Sequence, residues 1–535
     1  MNLVIVHYHL NRGGVSRVIQ LHLEALQSQL DRQGPPTGKN RKSSDPMPVI
    51  LLYGGRQEGW PEDLPARFSS LRVLLEPAPL LDYDHVHRRS GPQLSEALFQ
   101  QIHQVLHRRD CRPEDTIFHV HNHSLGKNMA LPDVLTRLAE AGYPMLLQIH
   151  DFAEDFRPAN YRALLERGVG RPDRSGLAWV YPQAEHLHYA VLNSRDQAVL
   201  LQASVPADRL HLLPNPVVGP GPLPRLQEAK NRLENLFGIP AGERYLLYPI
   251  RAIRRKNIGE AVLCSLLAEP DSWIGVTLAP LNPAERGQYE RWKQWSAQHQ
   301  VRCVWETGEQ GGLPLADNLA AADALLTTSI TEGFGMVFLE SWLVGRALVG
   351  RNLPEITGDF ERLGLRLPGM WRRLAVPVDW LGEERVRQRM LTVYQQVLAD
   401  YQRPLQPDWA DALDEKLVEG AVDFGDLDEP LQQEVLEKIL SQPGAVPSPR
   451  SQILEKNPAA ASGLLARLAD QDALVRENAS VVSEHFSPLQ LGRRLWEIYQ
   501  TLAQTRRTGP VEGLSHPEQI LESFLDLRRF RLLRA

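Results

Sequence analysis

The chain alternates short β-rich runs with amphipathic stretches, and it does so twice. Residues 3–7, 49–53, 116–120, 144–150 and 189–192 read as strands, with helical spacing over 15–30 after the first of them. Such alternation predicts a doubly wound parallel sheet with helices on both faces. Residues 214–224 then become rich in Pro and Gly, which marks a linker. A second alternation follows at 245–250, 273–278, 301–305, 324–327 and 347–349. A chain of 535 residues is too long for one hydrophobic core. The expectation is an α/β protein with two Rossmann-like domains facing across a cleft. Residues 33–48, rich in Pro, Gly, Ser and basic side chains, read as an exposed loop.

Composition excludes several partners. The formal net charge of −6 argues against nonspecific nucleic-acid binding. Cys111, Cys264 and Cys303 lie far apart and match neither a zinc spacing nor a disulfide framework, which favours a reducing cytoplasm. No apolar run is long enough to span a bilayer, and the N-terminus lacks the pattern of a signal peptide. Peripheral membrane contact and oligomerisation stay open.

The richest chemical signal is S-I-T-E-G-F-G-M-V-F-L-E-S-W at 329–342. Glu332 and Glu340 bracket a Gly333-Phe334-Gly335 turn. A buried strand precedes the turn, and 336–344 has helical spacing. Open α/β sheets bind ligands at such strand ends, and helix N-termini favour phosphates. Glycines let a backbone approach a ligand closely. Glu332 can accept hydrogen bonds from sugar hydroxyls, and Glu340 can reach another part of the same ligand.

This arrangement resembles the retaining nucleotide-sugar glycosyltransferases of the GT-B fold, in particular the family 4 group. Further segments match that group in order. L-V-I-V-H-Y-H-L-N-R-G-G-V-S-R-V-I is similar to its first strand, Gly-Gly loop and helix. H-V-H-N-H at 119–123 and L-L-Q-I-H-D at 146–151 resemble later strand ends. L-L-P-N-P-V at 212–217 resembles the approach to the linker. Y-P-I-R-A-I-R-R-K-N at 248–257 resembles the strand and loop with the family's Arg/Lys pair. The ordered set spans most of the first 360 residues.

The resemblance implies transfer of a hexose from a nucleoside-diphosphate sugar to an acceptor hydroxyl, with retained configuration and no metal or other cofactor. Arg251 and Lys256 would stabilise the departing diphosphate, with Arg254 and Arg255 in the same loop able to assist. Glu332 and the amides of Gly333, Phe334, Gly335 and Met336 would hold the sugar, and Glu340 the ribose. His150 matches the family histidine that approaches the donor sugar. Gly13 and Gly14 would open the first helix to the donor; they do not form a dinucleotide fingerprint. His121, Asp151 and Arg157 are acceptor-side candidates, and the segment 152–161 reads as an acceptor-side loop.

His119, His121 and His123 alternate along one strand end, so up to three imidazoles could share a face. A structural or acceptor-lining role is expected rather than a metal site. A hydrolase, phosphorylase or epimerase on the same fold, or a silent scaffold that binds sugar nucleotides, remains an alternative, because fold does not fix chemistry.

The C-terminal third departs from the family pattern. The expected domains are 1–217, 218–505 with a helical, acidic insertion at about 383–472, and a final segment 506–535 that crosses back to the first domain. The insertion could pack on the second domain, shape the acceptor site or make a dimer contact, and a surface embellishment without catalytic duty is the favoured reading.

Overall fold

The computed structural model describes residues 1–33, 45–84, 91–169, 176–441, 447–465, 471–507 and 509–535. They form two compact units. Unit one comprises Met1–Pro216 and Phe486–Leu525, and unit two comprises Val217–His485 and Asp526–Ala535.

Unit one is built on a seven-stranded, all-parallel sheet. Its strands are β1 Asn2–His7, β2 Met47–Tyr53, β3 Leu71–Pro77, β4 Thr116–His121, β5 Met145–Ile149, β6 Leu187–Val191 and β7 Leu210–Leu212, in the order β3-β2-β1-β4-β5-β6-β7. The central strands are buried throughout, as strands covered on both faces must be. The order reverses between β1 and β4, so a ligand crevice is expected beyond their C-terminal ends. β3 and β7 escaped the sequence reading. β3 alternates buried and exposed positions, and β7 is only three residues long. Most of the loop expected at 33–48 lies outside the described residues; its last two residues already belong to β2.

Unit two carries a six-stranded parallel sheet. Its strands are β8 Arg244–Arg251, β9 Ser272–Leu278, β10 Cys303–Trp305, β11 Ala324–Thr327, β12 Leu348–Arg351 and β13 Met370–Trp371, in the order β10-β9-β8-β11-β12-β13. Here the reversal falls between β8 and β11. Two parallel, doubly wound sheets are the architecture expected from the alternation.

The chain re-enters unit one earlier than expected, at Phe486 rather than 506. Ser487 precedes the helix Pro488–Gln504, as the Ser-Pro step predicts. This helix packs on the first helix, Gly14–Gln33, and its Leu495, Tyr499 and Leu502 join the core of unit one. A Cβ on Gly492 would collide with the Ala25 carbonyl oxygen, so only glycine permits this approach. The last ten residues return to unit two. There Arg528 pairs with Asp408 at 2.7 Å and Phe530 packs on Tyr394.

The insertion is neither wholly helical nor superficial. It includes β15 Leu417–Val418 and β16 Ala421–Asp423, which form a small antiparallel sheet with β14 Ala375–Pro377. Asp423 reaches the fully buried Arg351, with Nη1 donating to Oδ2 at 2.7 Å and Nη2 to Oδ1 at 2.8 Å. Arg351 also binds Glu260, 2.6 Å from Nη2. A carboxylate that neutralises a buried guanidinium belongs to the core of its unit.

Candidate functional site

In unit two the candidate residues gather at the ends of β8 and β11. Arg251 closes β8, past a register irregularity, and donates from Nη1 to the Ala279 carbonyl at 2.8 Å. Arg254, Arg255 and Lys256 form a short turn, and Asn257 leaves it in the left-handed region at φ 51°. That turn is stitched to the loop after β11. Tyr248 Oη donates to the Lys256 carbonyl at 2.8 Å, Thr328 Oγ1 to the Lys256 and Asn257 carbonyls at 3.0 Å, and Ile330 N to the Arg255 carbonyl at 3.0 Å.

The result is a compact charge cluster. Lys256 Nζ donates to Glu332 Oε1, and Arg255 Nη1 to Glu332 Oε2 at 3.0 Å. Burial alone would raise the Glu332 carboxyl, but Lys256 and Arg255 outweigh it and hold the pKa at about 2. Burial pushes the Lys256 ammonium below the usual lysine value despite the opposing pull of Glu332. Two cations surround one carboxylate, and Arg251 adds a positive group at the end of the strand that leads into this turn. Arg254 does not take part. Its guanidinium forks onto Glu429 at 2.7 and 2.9 Å and meets the Ala535 carbonyl.

Glu429 belongs to the insertion, as does Gln432, whose Nε2 donates to Asn257 Oδ1 at 2.9 Å. The insertion therefore buttresses the Arg/Lys turn.

The glycine turn behaves partly as expected. Gly335 adopts φ +80°, and a Cβ there would lie 2.6 Å from Phe338. Gly333 and Met336 are half-buried. The helix Val337–Leu343 follows. The Phe334 ring, however, is buried edge-on against Phe360 at 5.5 Å, so this residue has only its backbone to offer a ligand. Glu340 is exposed on that helix.

In unit one, Gly13 and Gly14 are exposed at the start of the first helix, and Gly14 faces open space. Asn122 directs the neighbouring strand ends. It sits at φ 58°, and its Oδ1 accepts from the amides of His150 at 2.7 Å and Asp151 at 3.0 Å. Asparagine tolerates this backbone region better than most residues. His150 Nε2 lies 2.9 Å from His121 Nδ1, and His121 Nε2 is buried without a hydrogen-bond partner among the described residues. Burial brings the His150 pKa down to about 4, so the ring is neutral near pH 7. Arg157 Nη2 donates to Asp151 Oδ1 at 2.7 Å, while Nη1 holds the Phe152 and Asp155 carbonyls at 2.9 and 3.3 Å. The acceptor-side reading of 152–161 loses three members, the buried Phe152, Glu154 and Tyr161. Phe152 is buried against Phe524, and Glu154 is buried with Tyr181 Oη 3.0 Å from both carboxylate oxygens.

The three-histidine ladder is not what forms. His119 and His121 stack at 4.4 Å, but the turn at Asn122 carries His123 away to Tyr181 and Tyr189. Its place is taken by His22 of the first helix, which stacks on His119 at 5.3 Å. Helical spacing from Val18 and Ile19 puts His22 on the core face, a signal the sequence reading passed over. His22, His119 and His121 bring ligand nitrogens within 4.8 Å of one another. Both ring nitrogens of His119 are already engaged, by Tyr499 Oη at 2.7 Å and Gln148 Oε1 at 2.9 Å. An ion bound by His119 would displace one of these partners.

The described architecture is that of the GT-B glycosyltransferases. Over 94% of the chain it matches sucrose-phosphate synthase from Thermosynechococcus elongatus, with TM-score 0.52, 12% identity and 99% of that chain covered. Anabaena HepE, solved with UDP-glucose, matches over 94% of this chain and 100% of its own, with TM-score 0.50 and 13% identity. In sequence, the chain is 26% identical over 373 residues to mannosylglucosyl-3-phosphoglycerate synthase of Petrotoga mobilis, covering 68% of this chain and 67% of that protein. No protein-family profile matches the chain. By fold and sequence relationship together, the chain is a glycosyltransferase of GT-B architecture. No helix among the described residues is long and apolar enough to cross a membrane.

Proposed function

We propose that the chain moves a hexose from a nucleoside-diphosphate sugar to an acceptor hydroxyl, with retained anomeric configuration and without a catalytic metal. The observation that carries this reading is the cluster at the β8 and β11 ends, where Arg255 and Lys256 grip Glu332 and Arg251 closes the adjoining strand. Such a cluster suits a diphosphate leaving group. A guanidinium binds phosphate oxygens bidentately, and an ammonium adds a point charge. HepE was solved with UDP-glucose, and the Petrotoga relative is named for a glycosylated product; both fit a sugar-nucleotide donor.

In this mechanism the bond between sugar C1 and the phosphate oxygen breaks with its electron pair going to phosphate. Arg251 and Lys256 stabilise that charge. The acceptor oxygen attacks C1 on the same face, and its proton passes to the departing phosphate. Glu332 and the amides of 333–336 hold sugar hydroxyls, Glu340 holds the ribose, and Gly13 and Gly14 let the donor approach the first helix. His150 contacts the sugar as a neutral ring, with His121, Asp151 and Arg157 on the acceptor side. The free cysteines fit a cytoplasmic setting.

A thermal-shift screen with UDP, GDP, ADP and their sugars tests the donor, since a ligand that binds only the folded state raises its melting temperature. NMR of the product tests retention. Transfer is expected to persist in excess EDTA, and the purified protein to carry no stoichiometric transition metal. Activity lost on chelation and restored by Zn²⁺ or Mn²⁺ would overturn the leaving-group scheme and return His22, His119 and His121 to consideration.

A further inference from the structure

In unit one the ring of Tyr83, just past the short 3₁₀ turn Pro79–Leu81, lies near two cations. Arg56 is 5.2 Å from its centroid and the Lys127 ammonium 5.5 Å. Arg56 is neutralised by Asp82, whose carboxylate it grips through Nε at 2.5 Å and through Nη2. Lys127 is not. Its side chain is half-buried, yet among the described residues its ammonium has neither a carboxylate within ion-pair distance nor a hydrogen-bond acceptor. The charged groups that face it are Arg157 and Asp151. Asp151 is already engaged by Arg157 at 2.7 Å. Lys127, Arg157 and Asp151 therefore sum to one positive charge, and the Asp84 carboxylate, held by the Met129 amide at 2.7 Å, makes no ion pair with Lys127 among the described residues.

A half-buried ammonium without a counter-charge is costly, because it gives up water and the Tyr83 ring offers it no full negative charge in return. A ligand anion would remove that cost. The position is also suited to a ligand. Lys127 follows the C-terminal end of β4, on the loop that begins with Asn122, and Asn122 holds the backbone of His150 and Asp151. Tyr83 adds a flat face, and its hydroxyl meets His9 Nε2 at 3.0 Å.

We propose that Lys127, backed by Arg157 and Tyr83, is an anion subsite for the acceptor, which is therefore a hydroxy compound carrying a phosphate or carboxylate group. This deepens the transferase reading and rests on it. Lys127 supplies binding and orientation rather than chemistry, so its loss acts on acceptor recognition and leaves donor binding intact.

The test uses the full chain and four probes: 3-phosphoglycerate, inorganic phosphate, neutral glycerol, and vesicles containing phosphatidic acid. Binding is titrated with and without UDP, for the wild type and for Lys127→Ala, Lys127→Arg and Arg251→Ala. The expected result is that 3-phosphoglycerate binds the wild type and glycerol does not. Affinity falls at least about tenfold in Lys127→Ala, returns in part in Lys127→Arg, and survives in Arg251→Ala. Binding confined to the vesicles, with the same dependence on Lys127, would identify a lipid phosphate as the source. Equal binding of every anionic probe by wild type and Lys127→Ala, or no binding by the wild type, would overturn the subsite. Lys127-dependent anion binding in a protein that binds no nucleoside diphosphate or its sugar would instead remove the transferase reading and leave the anion site standing.

Discussion

Lys256 and Glu332, 76 residues apart, form a hydrogen-bonded ion pair in unit two. The sequence reading gave them separate duties, one on phosphate and one on sugar. Their pairing means that the carboxylate holds the ammonium in place while drawing off part of its charge. Arg255 completes the arrangement from the other carboxylate oxygen.

Arg251→Ala and Lys256→Ala should each lower turnover roughly a hundredfold or more, the scale set by losing one contact to developing charge. Their effects on stability should differ. Arg251 gives up one carbonyl hydrogen bond, whereas loss of Lys256 leaves the buried Glu332 with Arg255 as its remaining cationic partner. Turnover and melting temperature measured side by side check this. Near-normal turnover in both variants would remove the leaving-group assignment.

The two glutamates should separate by readout. Glu340→Gln should weaken binding of the free nucleoside diphosphate. Glu332→Gln should lower the rate of transfer with nucleotide affinity unchanged or improved, since Lys256 is released to the phosphates. Calorimetry on the free nucleotide decides, and an equal loss in both variants contradicts the division of roles.

Unit one should be acid-labile. Burial lowers the pKa of His7, His119 and His123 to about 3 and of His150 to about 4, and it holds His22 and His121 well below 6.5. Their folded-state pKa values lie below the unfolded one. Each therefore contributes stability above about pH 6.5, and that stability is lost as pH falls towards the folded values. The loss approaches about 1.4 kcal/mol per pH unit for each ring. Hydrogen exchange from pH 7.5 to 5.5 should show unit one loosening before unit two, with a shallower slope in His22→Leu. A flat response would mean that water or another partner already solvates these rings.

Arg351→Met should destabilise unit two by about 3–5 kcal/mol, because it strands the buried carboxylates of Glu260 and Asp423. Adding Glu260→Gln and Asp423→Asn to the same chain should recover much of the loss. Urea melts of the single and triple variants check this. A single variant within about 1 kcal/mol of wild type would show that the carboxylates find other partners.

Both sheets were legible in the sequence because a strand buried on both faces is a short apolar run, and a run needs no tertiary information to be read. The Glu332-Gly-Phe-Gly turn and the Arg251–Lys256 loop were legible for a similar reason: their residues are neighbours in the chain. What the chain order could not reveal is which distant groups meet. Arg254 and Arg255 are adjacent, yet one turns to Glu429 of the insertion and the other to Glu332. His123 continues the alternation of His119 and His121 on paper, but a single left-handed residue, Asn122, takes it off that face, and a helical histidine fills the gap. The insertion looked like surface because its acidic residues resemble a solvated face until Arg351 is seen to need one of them. Local periodicity determined the elements. The partner of each charge was decided only by packing, since a buried charge takes its counter-charge from whichever element the fold brings near.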